Sequence, residues 1–228
     1  MKVEIHPTAA GVATRAAQWI AASARAAIAE RGLFSIALSG GRTPWQMLGV
    51  LTSEPLPWPA CHVFQTDERV APEGHPDRNV GHIRACLGVS AFPAANLHAM
   101  PVNDPDLNRA ADRYAHEIET VAGSPAVFDA IHLGLGADGH TASLVPGDGA
   151  LDVREADVTL TGVYAGWARM TLTYPLIDRA RAILWVVTGP DKAPALRRLV
   201  AGDRSIPAGQ VRSDRAIVLA DRAAAAGA

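Results

Sequence analysis

Four apolar runs in this chain break off into glycine-rich or charged sequence. "LFSIAL" enters "SGGRTP" (39–44), "CHVFQ" enters "TDER" (66–69), "VFDAIHLGL" enters "GADGHT" (136–141), and "ARAILWVV" enters "TGPDK" (188–192). Helical patterns separate the runs. Strands alternating with helices predict an α/β fold with a mostly parallel sheet covered on both faces. In such sheets ligands bind beyond the carboxyl ends of the strands. All four polar stretches then fall on one edge, and the case for a site rests on that convergence.

The local signals fill in the order. Thr8 to Arg31 is an alanine-rich helix, with Thr8 as N-cap and Gly32 as its stop. Thr43-Pro44 opens the next helix, the threonine capping and the proline in the first turn. "CHVFQTDER" reads as one strand and "DRNVGHIRACLG" as a helix. Asp104-Pro105 starts a long helix ending near Val121. "VFDAIHLGLG", "RMTLTYPLI", "ARAILWVVTG" and the closing "AIVLAD" are strands, and "DKAPALRRLVAG" is a helix. The tail "DRAAAAGA" reads as a frayed end. No repeat or long linker divides the chain, so residues 1–228 are read as a single domain.

Each motif has a plain reading beside the functional one. "LSGGRTP" leads through glycine to a helix N-terminus, which suits a phosphate, or it is an ordinary tight turn. It lacks the G-K-[ST] ending of a P-loop. "TDER" is a solvated charged loop, or it points one of Asp67, Glu68 and Arg69 into a cleft. "GLGADG" has the G-x-G-x-x-G spacing of a dinucleotide turn, but Pro146-Gly147 stops the helix that a pyrophosphate requires. Asp138 and His140, which that motif does not need, suit a general base with an orienting carboxylate. The other seven of the eight histidines lack such a setting. Asp138-x-His140 has no third ligand that would make it a metal site. Arg169 opens a strand, and Lys192 is one of only two lysines, the other being Lys2.

Composition removes other classes. A net charge of −2 argues against nucleic acid as a partner. No apolar run is long enough to span a membrane, and the N-terminus lacks signal-peptide features. Cys61 and Cys86 have no metal-type spacing and read as reduced thiols in a cytoplasmic protein. The chain is expected to be a monomer or a weak homo-oligomer.

Taken together, "LSGGRTP", "TDERVAPEGHPDRNVG", "HLGLGADGHTASLVPG", "RMTLTYPLI", "VTGPDKAPAL" and "IPAGQV…AIVLAD" resemble the 6-phosphogluconolactonases, within the wider family of glucosamine-6-phosphate isomerases. The likeness runs in order along nearly the whole chain. It implies a Rossmann-like three-layer α/β/α sandwich of the sugar-phosphate isomerase type. It also implies hydrolysis of 6-phospho-D-glucono-1,5-lactone to 6-phospho-D-gluconate in the oxidative pentose phosphate pathway, with no cofactor. The isomerase branch carries a glutamate just before the loop proline, where this chain has Val145. The other alternative, a non-catalytic sugar-phosphate-binding module, is disfavoured by the intact Asp138-Gly139-His140 and by the lack of an attached DNA-binding or signalling segment. The lactonase pattern has Ser-Asn where this chain has Arg78-Asn79, which puts the serine's role in doubt.

On this reading His140 is the acid/base, Asp138 or Asp67 holds its imidazolium, and Arg69 or the amides of the Gly136–Gly139 turn receive the oxyanion. Gly40, Gly41, Arg42, Thr43, Glu68, Asn79, Gly139, Arg169 and Lys192 complete the substrate-binding set. Within it, Arg42, Thr43, Arg169 and Lys192 are assigned to the phosphate. The loop glycines are expected to leave room for a sugar ring.

Overall fold

The structure, a computed structural model, describes residues 1–226. The main sheet contains β1 (Lys2–His6), β2 (Phe34–Leu38), β3 (Cys61–Gln65), β5 (Leu97–His98), β6 (Ala130–Leu133), β9 (Ile183–Val187) and β10 (Ala216–Asp221). Their order is β1-β10-β9-β6-β2-β3-β5, and every neighbouring pair is parallel. β2, β6, β9 and β10 are buried along their whole length, which is why they read as unbroken apolar runs.

Helices cover both faces. α1 (Ala9–Arg31), α2 (Arg42–Leu51) and α3 (Asn79–Leu87) pack on one side with Phe34, Ile36 and Leu38 of β2. α4 (Leu107–Ala122), α5 (Tyr174–Arg179), α6 (Ala193–Val200) and α7 (Pro207–Gln210) pack on the other with Ala37, Ile131 and Trp185. The two cores follow from the alternation of side chains along each strand. α1 buries Val12, Ala13, Ala16, Ala17 and Ile20 at helical spacing, and its alanines let it lie close to the sheet. Thr8 Oγ1 accepts from the Gly11 amide at 3.2 Å, and Gly32 ends the helix at φ +81°.

From β2 the chain steps one way to β3 and β5 and the other way to β6, β9 and β10. The strand order therefore reverses between β2 and β6, which opens a crevice above their carboxyl ends.

Several sequence expectations are corrected. "CHVFQTDER" is two strands. β4 (Asp67–Arg69) leaves the main sheet and pairs antiparallel with β8 (Trp167–Leu172), which pairs with β7 (Val158–Tyr164). "RMTLTYPLI" turns from β8 into α5, because Pro175 sits in the first helical turn after Thr173. α2 is capped by Gly41, not Thr43, and Pro44 remains among the first residues, whose amides need no partner within the helix. α4 starts at Leu107 with Asp106 as cap. Asp106 Oδ1 accepts from the Arg109 amide at 3.0 Å, while Asp104 pairs with Arg113. The tail is not frayed through residue 226: Asp221 accepts from the Ala224 and Ala225 amides, and Ala224 is buried. Residues 227–228 lie outside the described residues.

Candidate active site

The crevice is a cleft of about 320 Å³ at the ends of β2, β6 and β9, with β4 and β8 along one side. Arg42, Arg69, Arg169, Lys192, Asp67 and His140 line it, so all four polar stretches of the sequence reach one space. An adjoining hollow of about 380 Å³ shares Arg42, Arg69, Asn79 and Arg169 and is walled by Trp45 and Trp167. A larger hollow of about 500 Å³ lies beside α3 and the loop before α4, and none of the expected catalytic side chains lines it.

The loop after β6 holds the titratable pair. His140 Nδ1 lies 2.6 Å from Asp138 Oδ1, which also accepts from the His140 amide at 3.1 Å. Tyr164 Oη donates to Asp138 Oδ2 at 3.1 Å and stands 3.3 Å from His140 Nδ1. Burial raises the Asp138 carboxyl, but the His140 amide, the imidazole and Tyr164 outweigh it and hold the group below its ordinary value. An ionised Asp138 places the proton on Nδ1, which leaves Nε2 as the acceptor.

The loop glycines serve the pair more than the cleft. A Cβ on Gly136 would lie 2.0 Å from His140 Nδ1, so glycine there admits the imidazole against the backbone. Gly139 is at φ +87°, and its Cβ would meet Ile206 Cβ at 2.6 Å. Its carbonyl accepts from the Ala208 amide at 2.9 Å. At Gly136 and Gly139 the space is taken by the protein's own side chains, and Gly139 docks the loop on α7 without lining the cleft, whereas Gly134 lines it with open space where a Cβ would stand. No α-helix follows this loop before α5, as Pro146 required.

The β4 side is a closed network. Asp67 Oδ2 accepts from Ser143 Oγ at 2.7 Å and lies 3.7 Å from Arg169 Nη1. Asp67 therefore does not reach the His140 ring, and Asp138 is the carboxylate that holds it. Glu68 is fully buried and turned away from the cleft, which corrects its expected place beside a substrate. Its carboxylate accepts from the amides of Arg69, Asn79 and Val80 and from Gln65 Nε2, each at 2.8 to 2.9 Å. It thus caps α3 from a distance. Arg78, at the position where a serine was expected, is buried beside Glu68, with Nε 3.4 Å from Oε2. Asn79 binds the Asp67 carbonyl at 3.0 Å and accepts from Arg69. A Cβ on Gly40 would come within 1.9 Å of Asn79 Oδ1, so that glycine is required by the close approach of the asparagine.

On the remaining wall, the N-terminus of α2 has no side-chain cap. Thr43 Oγ1 bonds Thr188 Oγ1 at 2.7 Å and ties the first turn of α2 to the residue after β9. Lys192 Nζ lies 3.1 Å from Asp191. Arg169 is buried, with its guanidinium carbon 5.2 Å from the Tyr164 ring centroid. Among the described residues its Nε has no hydrogen-bond partner.

Sequence reasoning missed Tyr164, Ser143, Thr188 and His132. Tyr164 precedes the turn Ala165-Gly166, both at positive φ, and hairpin turn chemistry was the available signal. His132 accepts from the Ser39 amide at 3.3 Å, and burial pushes its pKa down to about 3, so it is a neutral prop under the β2–α2 turn. Among the described residues no group of three or more His, Cys, Asp or Glu is placed to hold a metal ion.

The family model described as glucosamine-6-phosphate isomerases/6-phosphogluconolactonase matches residues 7–219. A Synechocystis 6-phosphogluconolactonase is 44% identical over 180 residues, covering 77% of this chain and 75% of the relative. A Nostoc 6-phosphogluconolactonase is 39% identical over 204 residues, covering 87% and 85%. The solved 6-phosphogluconolactonase of Thermotoga maritima superposes with a TM-score of 0.85 at 26% identity, covering 96% of this chain and 98% of that one. A monomeric glucosamine-6-phosphate deaminase shares the fold, with a TM-score of 0.85 at 21% identity and 99% of each chain covered.

Proposed function

The chain belongs to the family of glucosamine-6-phosphate isomerases and 6-phosphogluconolactonases, and from that premise we propose that it hydrolyses 6-phospho-D-glucono-1,5-lactone to 6-phospho-D-gluconate, the lactone step of the oxidative pentose phosphate pathway. The observation that carries this reading is the 2.6 Å contact of Asp138 with His140 at a cleft that also holds Arg42, Arg69, Arg169 and Lys192.

His140 Nε2 takes a proton from a water attacking C1. The carbonyl oxygen becomes an oxyanion, and His140 returns the proton to the ring oxygen as the C1–O bond breaks. Asp138 holds the imidazolium between those events. Arg69 and Arg169 are register partners on β4 and β8, and like charges placed opposite each other repel. A developing oxyanion or a phosphate relieves that repulsion. Lys192, Arg42 and the N-terminus of α2 supply a second cationic patch, which suits the 6-phosphate. Its binding energy holds the lactone for attack.

The isomerase alternative would need a carboxylate where Val145 stands, and Val145 is buried and does not line the cleft. The proposal treats residues 1–228 as one 6-phosphogluconolactonase domain, monomeric or weakly self-associating. It places the protein in the cytoplasm, consistent with the free Cys61 and Cys86. Among the described residues no helix is long and apolar enough to cross a membrane.

The test offers the purified protein fresh 6-phosphogluconolactone and, separately, glucosamine 6-phosphate. Acid release faster than spontaneous hydrolysis, without fructose 6-phosphate formation, is the expected result. Fructose 6-phosphate from the second substrate, or no acceleration with the first, rejects the proposal.

A further inference from the structure

Beyond the dyad, the tip of the β7–β8 hairpin reaches the same centre. Tyr164 ends β7 at a register shift and is followed by Ala165 and Gly166, whose positive φ values of 50° and 88° fold the chain back at once. The hairpin thereby brings one phenol to the loop after β6. The hydroxyl donates to Asp138 Oδ2, the oxygen not used by the imidazole, at 3.1 Å. The ring lies edge-on to the His140 ring, with centroids 5.2 Å apart. The Arg169 guanidinium rests over its face and donates to the Tyr164 carbonyl at 3.2 Å. On the far side, Trp167 Nε1 donates to Asp77 Oδ2 at 2.9 Å and secures the hairpin to the loop before α3.

We propose that Tyr164 is a positioning residue for the hydrolytic centre: its hydroxyl fixes the Asp138 carboxylate so that the other oxygen holds His140 Nδ1 and directs Nε2 into the cleft. Asp138 is partly exposed, and without the phenol its bonds from the His140 amide and imidazole both fall on Oδ1, which leaves Oδ2 unheld and the carboxylate freer to turn about χ2, a broad torsion. The phenol removes that freedom. Burial first, and then the nearby Asp138 charge, push the Tyr164 phenol up from its ordinary value. It therefore stays protonated and can only donate to the carboxylate. The cation over its face couples the dyad to Arg169 and, through Arg169, to Ser143 and Asp67.

The inference rests on the lactonase reading, but its test has an arm independent of substrate. Tyr164→Phe keeps the ring, its contact with Arg169 and its packing, and deletes only the hydroxyl. In Tyr164→Phe, kcat is expected to fall about three- to tenfold, the rate equivalent of one hydrogen bond. KM should stay within about twofold of wild type, because the hydroxyl engages Asp138 and not the cationic patch. In an Asp138→Asn background the same substitution should change kcat by less than about twofold, since the partner through which it acts has been altered. Ring nitrogen-15 shifts of His140, measured without substrate, should move from a pure Nδ1–H tautomer toward a mixture. An equal loss in both backgrounds, or an unchanged tautomer, overturns the role of Tyr164. Failure of wild type to hydrolyse the lactone, with the tautomer still shifting in the variant, removes the lactonase reading and leaves the positioning role standing.

Discussion

Asp138 stands behind His140 at the cleft and Glu68 is buried behind the β4 wall, and their surroundings give the two carboxylates opposite work. The Asp138 side chain is 37% exposed, and the groups it bonds are two side chains and one amide of its own cleft wall. Glu68 is 0% exposed, and both oxygens are filled by three backbone amides and Gln65, with the Arg78 guanidinium alongside. One carboxylate holds a group that, in the proposed mechanism, gains and loses a proton. The other is locked into the α3 N-terminus and supports the wall that carries Asn79 and Arg69. Accessibility and unused hydrogen-bonding capacity, more than residue type, separate chemistry from scaffold here.

Breaking the exposed side should damage rate and spare stability. His140→Ala is expected to lower kcat roughly 10²–10⁴-fold, with the denaturation midpoint nearly unchanged. Activity at the wild-type level, after subtracting spontaneous hydrolysis, would dismiss the acid/base assignment. Breaking the buried side should do the reverse. Glu68→Ala leaves the buried Arg78 guanidinium without its neighbouring carboxylate and three amides without an acceptor, at a cost of about 3–5 kcal/mol. Urea unfolding measures this, and a loss below about 1 kcal/mol would mean that the network is not structural.

Two smaller effects sharpen the contrast. Lys192→Ala removes one half-buried cation from the proposed phosphate side and is expected to raise KM for the phosphorylated lactone about tenfold, with kcat less affected. Plain gluconolactone should show little of that change, and equal losses on both substrates would displace Lys192 from the phosphate. The smallest effect is on stability against pH. Asp138 has its pKa lowered on folding from an ordinary 3.8. Its contribution is therefore complete above the unfolded value and disappears as pH falls through the lower folded value. Asp138→Asn should cost less than about 1 kcal/mol at neutral pH, because the group is more than a third exposed. The difference from wild type should vanish in strong acid, as followed by thermal melts from neutral pH downward.

Much of the fold was legible because buried parallel strands must be apolar along their length and helices between them must repeat near every third or fourth residue. α1 shows this most fully: Thr8, the alanine face and Gly32 each act within a few residues of chain. Boundaries that depend on a choice between equivalent residues were not legible. Asp104 and Asp106 offer the same capping chemistry, and only the packing of α4 selects Asp106. The single strand read through "CHVFQTDER" failed for a related reason. Local pattern cannot tell a continuing strand from one that leaves for a second sheet, because the difference lies in the partner, β8, some hundred residues away in sequence.

The sequence by itself determined the α/β class, the convergence of four strand ends, and His140 as the candidate acid/base with Asp138 and Asp67 as the two carboxylates offered to it. It also excluded a dinucleotide turn through Pro146. Only the tertiary structure decided that Asp138 and not Asp67 partners His140, that Glu68 and Arg78 belong to the scaffold, that Gly136 makes room for an imidazole and Gly139 for Ile206, and that Tyr164 joins the centre. Those assignments depend on contacts between segments far apart in sequence. Residue types propose such contacts, but distance and burial select among them.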